Sequence, residues 1–180
     1  TLGEIFRDAG YKTVYGGKWH LPKSFSGMTG FEQIAGGHAL GSRMDAPLAD
    51  ACCTWLEKSA AEPFLLVASF MNPHDICTWI REHPGHRDDL LTHGFPPAPG
   101  NMAVDPNEPD AIRYHRTAGY DLMSKAVGIA SDWQRDDIRL YIHDYYRMVE
   151  AVDWQIGRVL AVLRDKGLDR NTIIAFASDH

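Results

Sequence analysis

Phe64-Leu65-Leu66-Val67-Ala68-Ser69-Phe70 runs into Met71-Asn72-Pro73-His74-Asp75. The run is apolar without alternation, so both of its faces want burial, which suits a parallel strand covered by helices. Upstream, Leu48, Ala51, Cys52, Trp55 and Leu56 fall on one face at helical spacing. Asp45 is placed to cap that helix, with Pro47 in its first turn, and Pro63 ends it by Glu62. Residues 21–44 are rich in Gly and Ser and read as a loop. Tyr11 to Tyr15 reads as a short strand broken by Gly16-Gly17. Thr1-Leu2-Gly3-Glu4 fits a capping box, for a helix that runs to Ala9 and stops at Gly10.

Downstream, residues 72–110 are the least regular part, with five prolines between Phe95 and Asp110. A loop this long is usually functional or mobile. A short helix is expected around Ala111–Ala118. Ile138, Ile142, Tyr145, Val149, Val152, Ile156, Val159 and Leu163 then repeat at steps of three and four. They predict a helix over 138–166, roughly 43 Å long at 1.5 Å per residue. Asp136 or Asp137 caps it and Gly167 stops it. Leu168 to Asn171 turns the chain into Thr172-Ile173-Ile174-Ala175-Phe176-Ala177, which reads as a terminal strand. The order helix, strand, helix, strand, helix, strand predicts an α/β fold.

The hydrophobic fraction of 44% and charged fraction of 23% over 180 residues suit one domain with a sizeable core. The formal net charge is -6 and no Lys/Arg block stands out, which argues against a nucleic-acid surface. No apolar stretch approaches the ~20 residues that span a bilayer. Cys52, Cys53 and Cys77 form neither a metal-ligand spacing nor a disulfide framework. Both ends of the chain read as cuts inside a larger domain.

Three apolar runs end in polar clusters: Lys18-Trp19-His20, His74-Asp75 and Asp179-His180. In an open α/β sheet, sites form outside the carboxyl ends of parallel strands. Lys18 brings a fixed charge and His20 a proton exchangeable near neutral pH, which suits a tetrahedral anion. A solvated Lys18 with a hydrogen-bonded His20 in a surface loop fits the same spacing. Pro73 limits the backbone ahead of His74, a candidate acid or anion donor whose ring Asp75 could orient. A strand-end histidine satisfied by backbone is the plainer alternative. Asp179 and His180 offer metal ligands, although Asp179 also suits a helix cap. His83, His86 and His93 cluster in the long loop, but Pro84-Gly85 prevents a helix that would set two rings on one face for zinc. Trp133, Trp154 and Tyr146 read as packing residues.

Together these segments resemble the sulfatase family of the alkaline-phosphatase-like superfamily. The matching pieces are Gly10-Tyr11-Lys12-Thr13 leading to Gly17-Lys18-Trp19-His20, and Pro63-Phe64-Leu65-Leu66 leading to Pro73-His74. The third runs from Tyr146-Arg147-Met148-Val149-Glu150-Ala151-Val152-Asp153 through Gly157 to Ser178-Asp179-His180. The resemblance implies a partial alkaline-phosphatase-like sandwich: a mostly parallel sheet flanked by helices. Residues 1–180 would be the central part of one catalytic domain, with a long irregular insertion at about 72–135. It implies that Lys18 contacts the sulfate and the nucleophile, and that His20 acts on a hydrated formylglycine. His74 would protonate the leaving group, and Asp179 and His180 would be ligands of Ca²⁺. Many relatives carry Asn at the position of His180.

The family makes its formylglycine from a Cys/Ser-x-Pro/Ala-x-Arg motif, expected upstream, and no such motif lies in this chain. The expected function is therefore sulfuric ester hydrolysis by the parent protein, with the 180-residue chain inactive alone. A phosphodiesterase or phosphonate hydrolase of the same superfamily is the enzymatic alternative, and a non-catalytic binding module is the other. A sulfated small molecule or glycan is the expected partner. Arg81, His83, His86, Arg113, His115 and Arg116 are placed by charge and loop position to meet an anionic sugar. Family habit suggests a periplasmic, secreted or lysosomal location. The sequence assigns no oligomeric state.

Overall fold

A computed structural model describes residues 1–19, 30–37, 39–59, 63–82, 94–117 and 133–178. The elements are α1 (Leu2–Asp8), β1 (Lys12–Gly17), β2 (Glu32–Gly36), α2 (Gly41–Ser59), β3 (Phe64–Ser69), α3 (Ile76–Glu82), α4 (Asp110–Thr117) and α5 (Arg135–Asp165), then a 3-10 turn at Leu168–Asn171. The three strands form one sheet in the order β2-β1-β3, and both pairings are parallel. This is the helix-flanked parallel α/β arrangement that the apolar runs predict.

The chain divides into two compact units, Thr1–Asn72 with Ala151–His180, and Pro73–Glu150. In the first, α1 opens with the expected capping box: the Thr1 hydroxyl accepts from the Glu4 N–H at 3.3 Å, and the Glu4 carboxylate reaches back. β1 is the central strand and is buried from Thr13 to Gly17. Its register with β3 runs from Lys12 opposite Phe64 to Gly17 opposite Ser69. The core gathers Val14, Leu48, Ala49, Cys52, Trp55, Leu56, Val159 and Leu163. Thus α2 and the second half of α5 bury their apolar faces beside β1 and β3, and Ala49 takes the fully buried place that the helical spacing gave to Ala51.

In the second unit, Ile76, Trp79 and Leu140 form a separate core, joined by Phe95, Trp133, Tyr141 and Met148. The Trp79 ring meets Trp133 at 5.9 Å and Tyr141 at 5.7 Å, both edge-on, a geometry that aromatic quadrupoles favour. Arg139 threads the proline-rich segment onto α5 by donating to the Pro96 carbonyl at 3.0 Å and the Phe95 carbonyl at 3.3 Å.

Several expectations need correction. Residues 21–44 are not all loop, because β2 lies within them and pairs with β1. Only Ile34 and Ala35 of β2 are half-buried, so this edge strand has no apolar pattern to announce it. α2 begins at Gly41 and carries Pro47 in its interior, rather than starting at Asp45. α3 lies in the stretch read as irregular. α5 starts at Arg135, and Asp137 works from inside its first turn by accepting from the Gln134 N–H at 2.7 Å. The expected terminal strand Thr172–Ala177 pairs with no strand among the described residues, and Ile173 is 97% exposed. An apolar run becomes a strand only when a neighbour completes its ladder. Trp154 and Tyr146 are exposed, not packing residues. His83, His86 and His93 lie outside the described residues.

At Gly17, φ is +103° and a Cβ would fall 1.9 Å from the Ser69 carbonyl oxygen. Gly17→Ala must therefore both enter a left-handed backbone region and push two paired strands apart. It should destabilise the full-length protein by at least about 2 kcal/mol in urea titration, and an unchanged midpoint would contradict the strand contact. Cys52 is fully buried, and desolvation, helped by neighbouring Cys53, pushes its thiol up to about 12 from the usual 9.0. The unfolded chain then ionises first, so stability holds below pH 9 and falls by about 1.4 kcal/mol per pH unit toward pH 12. Cys52→Ala should flatten that fall, and a thiol reagent at pH 8 should label Cys52 only after denaturation.

Candidate functional site at the carboxyl end of β1 and β3

Gly16 and Gly17 are required by contact on both sides of β1. A Cβ on Gly16 would fall 2.6 Å from Leu48 Cδ1, and one on Gly17 would meet the Ser69 backbone. The paired glycines therefore let α2 and β3 close on the strand end. Beyond them the ladder continues for one more bond, as the Lys18 N–H donates to the Ser69 carbonyl at 2.7 Å. The Tyr15 hydroxyl donates to the Lys18 carbonyl. The Tyr15 ring, itself nearly buried, meets the Trp19 ring edge-on at 5.3 Å and that of Phe31 at 5.8 Å. Both backbone groups of Lys18 are thus held, and the side chain starts from a fixed point.

The exit from β3 is held from α2. Asp45 is 3% exposed, and its two carboxylate oxygens accept separately from the Met71 N–H at 2.8 Å and the Asn72 N–H at 3.1 Å. Sequence reasoning missed this role. An Asp two residues before a proline and ahead of an apolar helical face reads as a cap, and nothing local marks it as a clamp on a segment 26 residues away. Gly41 lies against the same spot, where a Cβ would fall 2.5 Å from Asn72 Nδ2 and 2.6 Å from Asp45 Oδ2.

In the second unit, His74 is half-buried and sits in the turn that starts α3. Its carbonyl accepts from the Cys77 N–H at 3.0 Å. Asp75 is 6% exposed, and its carbonyl accepts from the Thr78 hydroxyl at 2.8 Å and from the Trp79 N–H at 3.2 Å. His20, Asp179 and His180 lie outside the described residues. Of the residues assigned to catalysis or metal binding, Lys18 and His74 are therefore the two with a described setting, each in its own unit. Among the described residues, no group of three or more His, Cys, Asp or Glu side chains could hold a metal ion. Arg113, one of the arginines set aside for an anionic sugar, is ion-paired with Asp110 at 2.8 Å on α4. No helix among the described residues is long and apolar enough to cross a membrane.

Comparison with known proteins adds the context for this strand end. The profile of the Sulfatase family matches residues 1–180. A Delta 4,5-hexuronate-2-O-sulfatase of Bacteroides thetaiotaomicron is 30% identical over 190 residues, covering 100% of this chain and 38% of its own length. The iduronate 2-sulfatase of Mus musculus is 32% identical over 135 residues, covering 68% of this chain and 22% of its own. The solved structure of a 2-O GAG sulfatase superposes with a TM-score of 0.74 at 28% identity, over 91% of this chain and 36% of that one. The chain thus spans well under half the length of these relatives. A parallel β1–β3 pair ending in Gly-Gly-Lys-Trp, within a family match that covers every residue, leads to one conclusion: the chain belongs to the sulfatase family.

Proposed function

We propose that the protein containing this chain hydrolyses sulfate esters, with Lys18, His20 and His74 in its reacting site and a sulfated glycan or smaller sulfated molecule as substrate. The observation that carries this reading is the fixed end of β1, where glycine contacts and a bond to Ser69 anchor Lys18. The anchored backbone fixes where the Lys18 side chain starts, and its ammonium brings positive charge to meet the charge that develops on the sulfate oxygens. Relatives named for hexuronate-2-O-sulfate and iduronate 2-sulfate favour a sulfated sugar.

In this reading each residue of the chain has one task. Lys18 offsets negative charge on the sulfate. His20 moves a proton at the nucleophile. His74 donates a proton to the ester oxygen as the sulfur–oxygen bond to the alcohol breaks and one to the nucleophile forms, so that the alcohol leaves neutral and, over the whole cycle, water supplies the new sulfate oxygen. Asp179 and His180 are assigned to a Ca²⁺ that, when bound, would draw charge from the sulfate oxygens. The carboxylate of Asp179 suits that hard cation better than the imidazole of His180. Residues 1–180 are read as the middle of one catalytic domain, with about 72–135 as an insertion that shapes the outer pocket.

The test is His74→Ala in the full-length protein. On an alkyl or sugar sulfate, turnover should fall by about 10²–10⁴-fold, the usual worth of a general acid. On an activated aryl sulfate, whose oxygen leaves without a proton, the loss should be much smaller. Equal losses on both esters would make His74 a sulfate-binding residue, and unchanged kinetics on both would remove it from the site.

A further inference from the structure

Asp45 is an unusual residue to bury. A carboxylate taken out of water is expensive unless it is fully hydrogen-bonded. Here both oxygens are used, one on the Met71 N–H at 2.8 Å and one on the Asn72 N–H at 3.1 Å. Those two amides lie just past β3, where the sheet ladder has ended, so without Asp45 they would need other acceptors. The helix that carries Asp45 is itself locked, because Leu48, one turn on and fully buried, sits against Gly16 and Gly17. The clamp is therefore referred to the same strand end that anchors Lys18.

From the clamped Asn72 the chain continues through Pro73 to His74. Proline fixes its own φ and restricts the residue before it, so few backbone angles stay free between the clamp and His74. On the far side, the His74 carbonyl is already engaged by the Cys77 N–H at 3.0 Å.

We infer that Asp45 is a positioning residue for His74: its buried carboxylate sets the course of the backbone into Pro73-His74, and so where the His74 ring is presented. This rests on the sulfatase reading above, in which His74 protonates the leaving oxygen. Asp45 touches no substrate in this account and acts only through the segment it holds. Gly41 supports the same spot, since a Cβ there would press on both the Asn72 amide and the Asp45 carboxylate.

The experiment compares Asp45→Asn and Gly41→Ala with His74→Ala in the full-length protein. Asp45→Asn keeps the shape but turns one acceptor into a donor facing an N–H. Amide exchange at Met71 and Asn72 should accelerate by about tenfold or more in Asp45→Asn. Its kcat on a poor-leaving-group sulfate should fall about tenfold, with KM nearly unchanged and less than about twofold loss on an activated aryl sulfate. Gly41→Ala, which leaves the charge in place, should show the same dependence on leaving group. The double variant Asp45→Asn/His74→Ala should be no slower than His74→Ala alone on the poor ester. Equal losses on both esters, multiplied losses in the double variant, or unchanged exchange at Met71 and Asn72 would each overturn the positioning role. If His74→Ala is selective for poor leaving groups and Asp45→Asn is not, the Asp45 inference falls and the sulfatase reading stands. If His74→Ala is not selective either, the assignment of His74 as the acid falls, and the inference falls with it.

Discussion

Gly17 lies so close to the backbone of Ser69 that no side chain fits between β1 and β3 at that point. β1 is paired on both edges and buried on both faces, so its register is not free to slip: a shift by one residue would turn Thr13 and Tyr15 to the places of Val14 and Gly16. With that register fixed, the strand end becomes a reference point for its neighbours. Leu48 can approach only because Gly16 has no side chain, and the seating of Leu48 fixes the rotation of α2. A helix seated in this way delivers the residue one turn earlier to the same face, and that residue is Asp45. Lys18 and the β3 exit are thus both positioned from the end of β1.

The parts of the fold that were legible in the sequence are those in which each segment declares its own burial. β3 shows an unbroken apolar run. α2 and α5 show helical periods long enough to give cores that include Leu48, Cys52, Leu56, Val159 and Leu163. β2 was not legible, because an edge strand with two half-buried residues owes its existence to the neighbour it pairs with. The terminal run Thr172–Ala177 is the reverse case. Its composition is that of a strand, but composition cannot supply the partner, and Ile173 and Phe176 stay exposed. α3 was hidden because its Cys77, Thr78 and Trp79 are weak helix formers, and its Cys77 and Trp79 are held by an aromatic core.

The site divides in a similar way. Lys18 and His74 were visible because each follows a segment that punctuates the chain, Gly-Gly in one case and Asn-Pro in the other. The residues that hold them were not visible. Tyr15 reads as a strand aromatic, yet its hydroxyl holds the Lys18 carbonyl and its ring holds Trp19. Asp45 reads as a helix cap, and only the meeting of α2 with the β3 exit assigns its oxygens. Residue types that do chemistry can be recognised in a sequence by kind. Residues that aim them are recognised by what they touch, and here the touching pairs are far apart in the chain.

A stability account of Asp45 is a poor one on energetic grounds. Burying a charge costs several kcal/mol before its hydrogen bonds are counted, and replacing buried ionic groups with apolar ones of similar volume is often neutral or stabilising. What an apolar residue at position 45 cannot do is fix the direction of two successive N–H groups, since apolar packing is non-directional. The carboxylate does so with one oxygen for each amide, at 2.8 and 3.1 Å. A directional and costly group is therefore spent on a stretch of backbone that carries no core residue of its own and leads within two residues to His74. The same preference for direction over adhesion recurs at Lys18, where the Ser69 carbonyl and the Tyr15 hydroxyl fix one peptide unit at each end. Both side chains with proposed chemical roles in the described residues thus follow backbone held by aimed hydrogen bonds, and the apolar core serves to keep the elements that aim them in place.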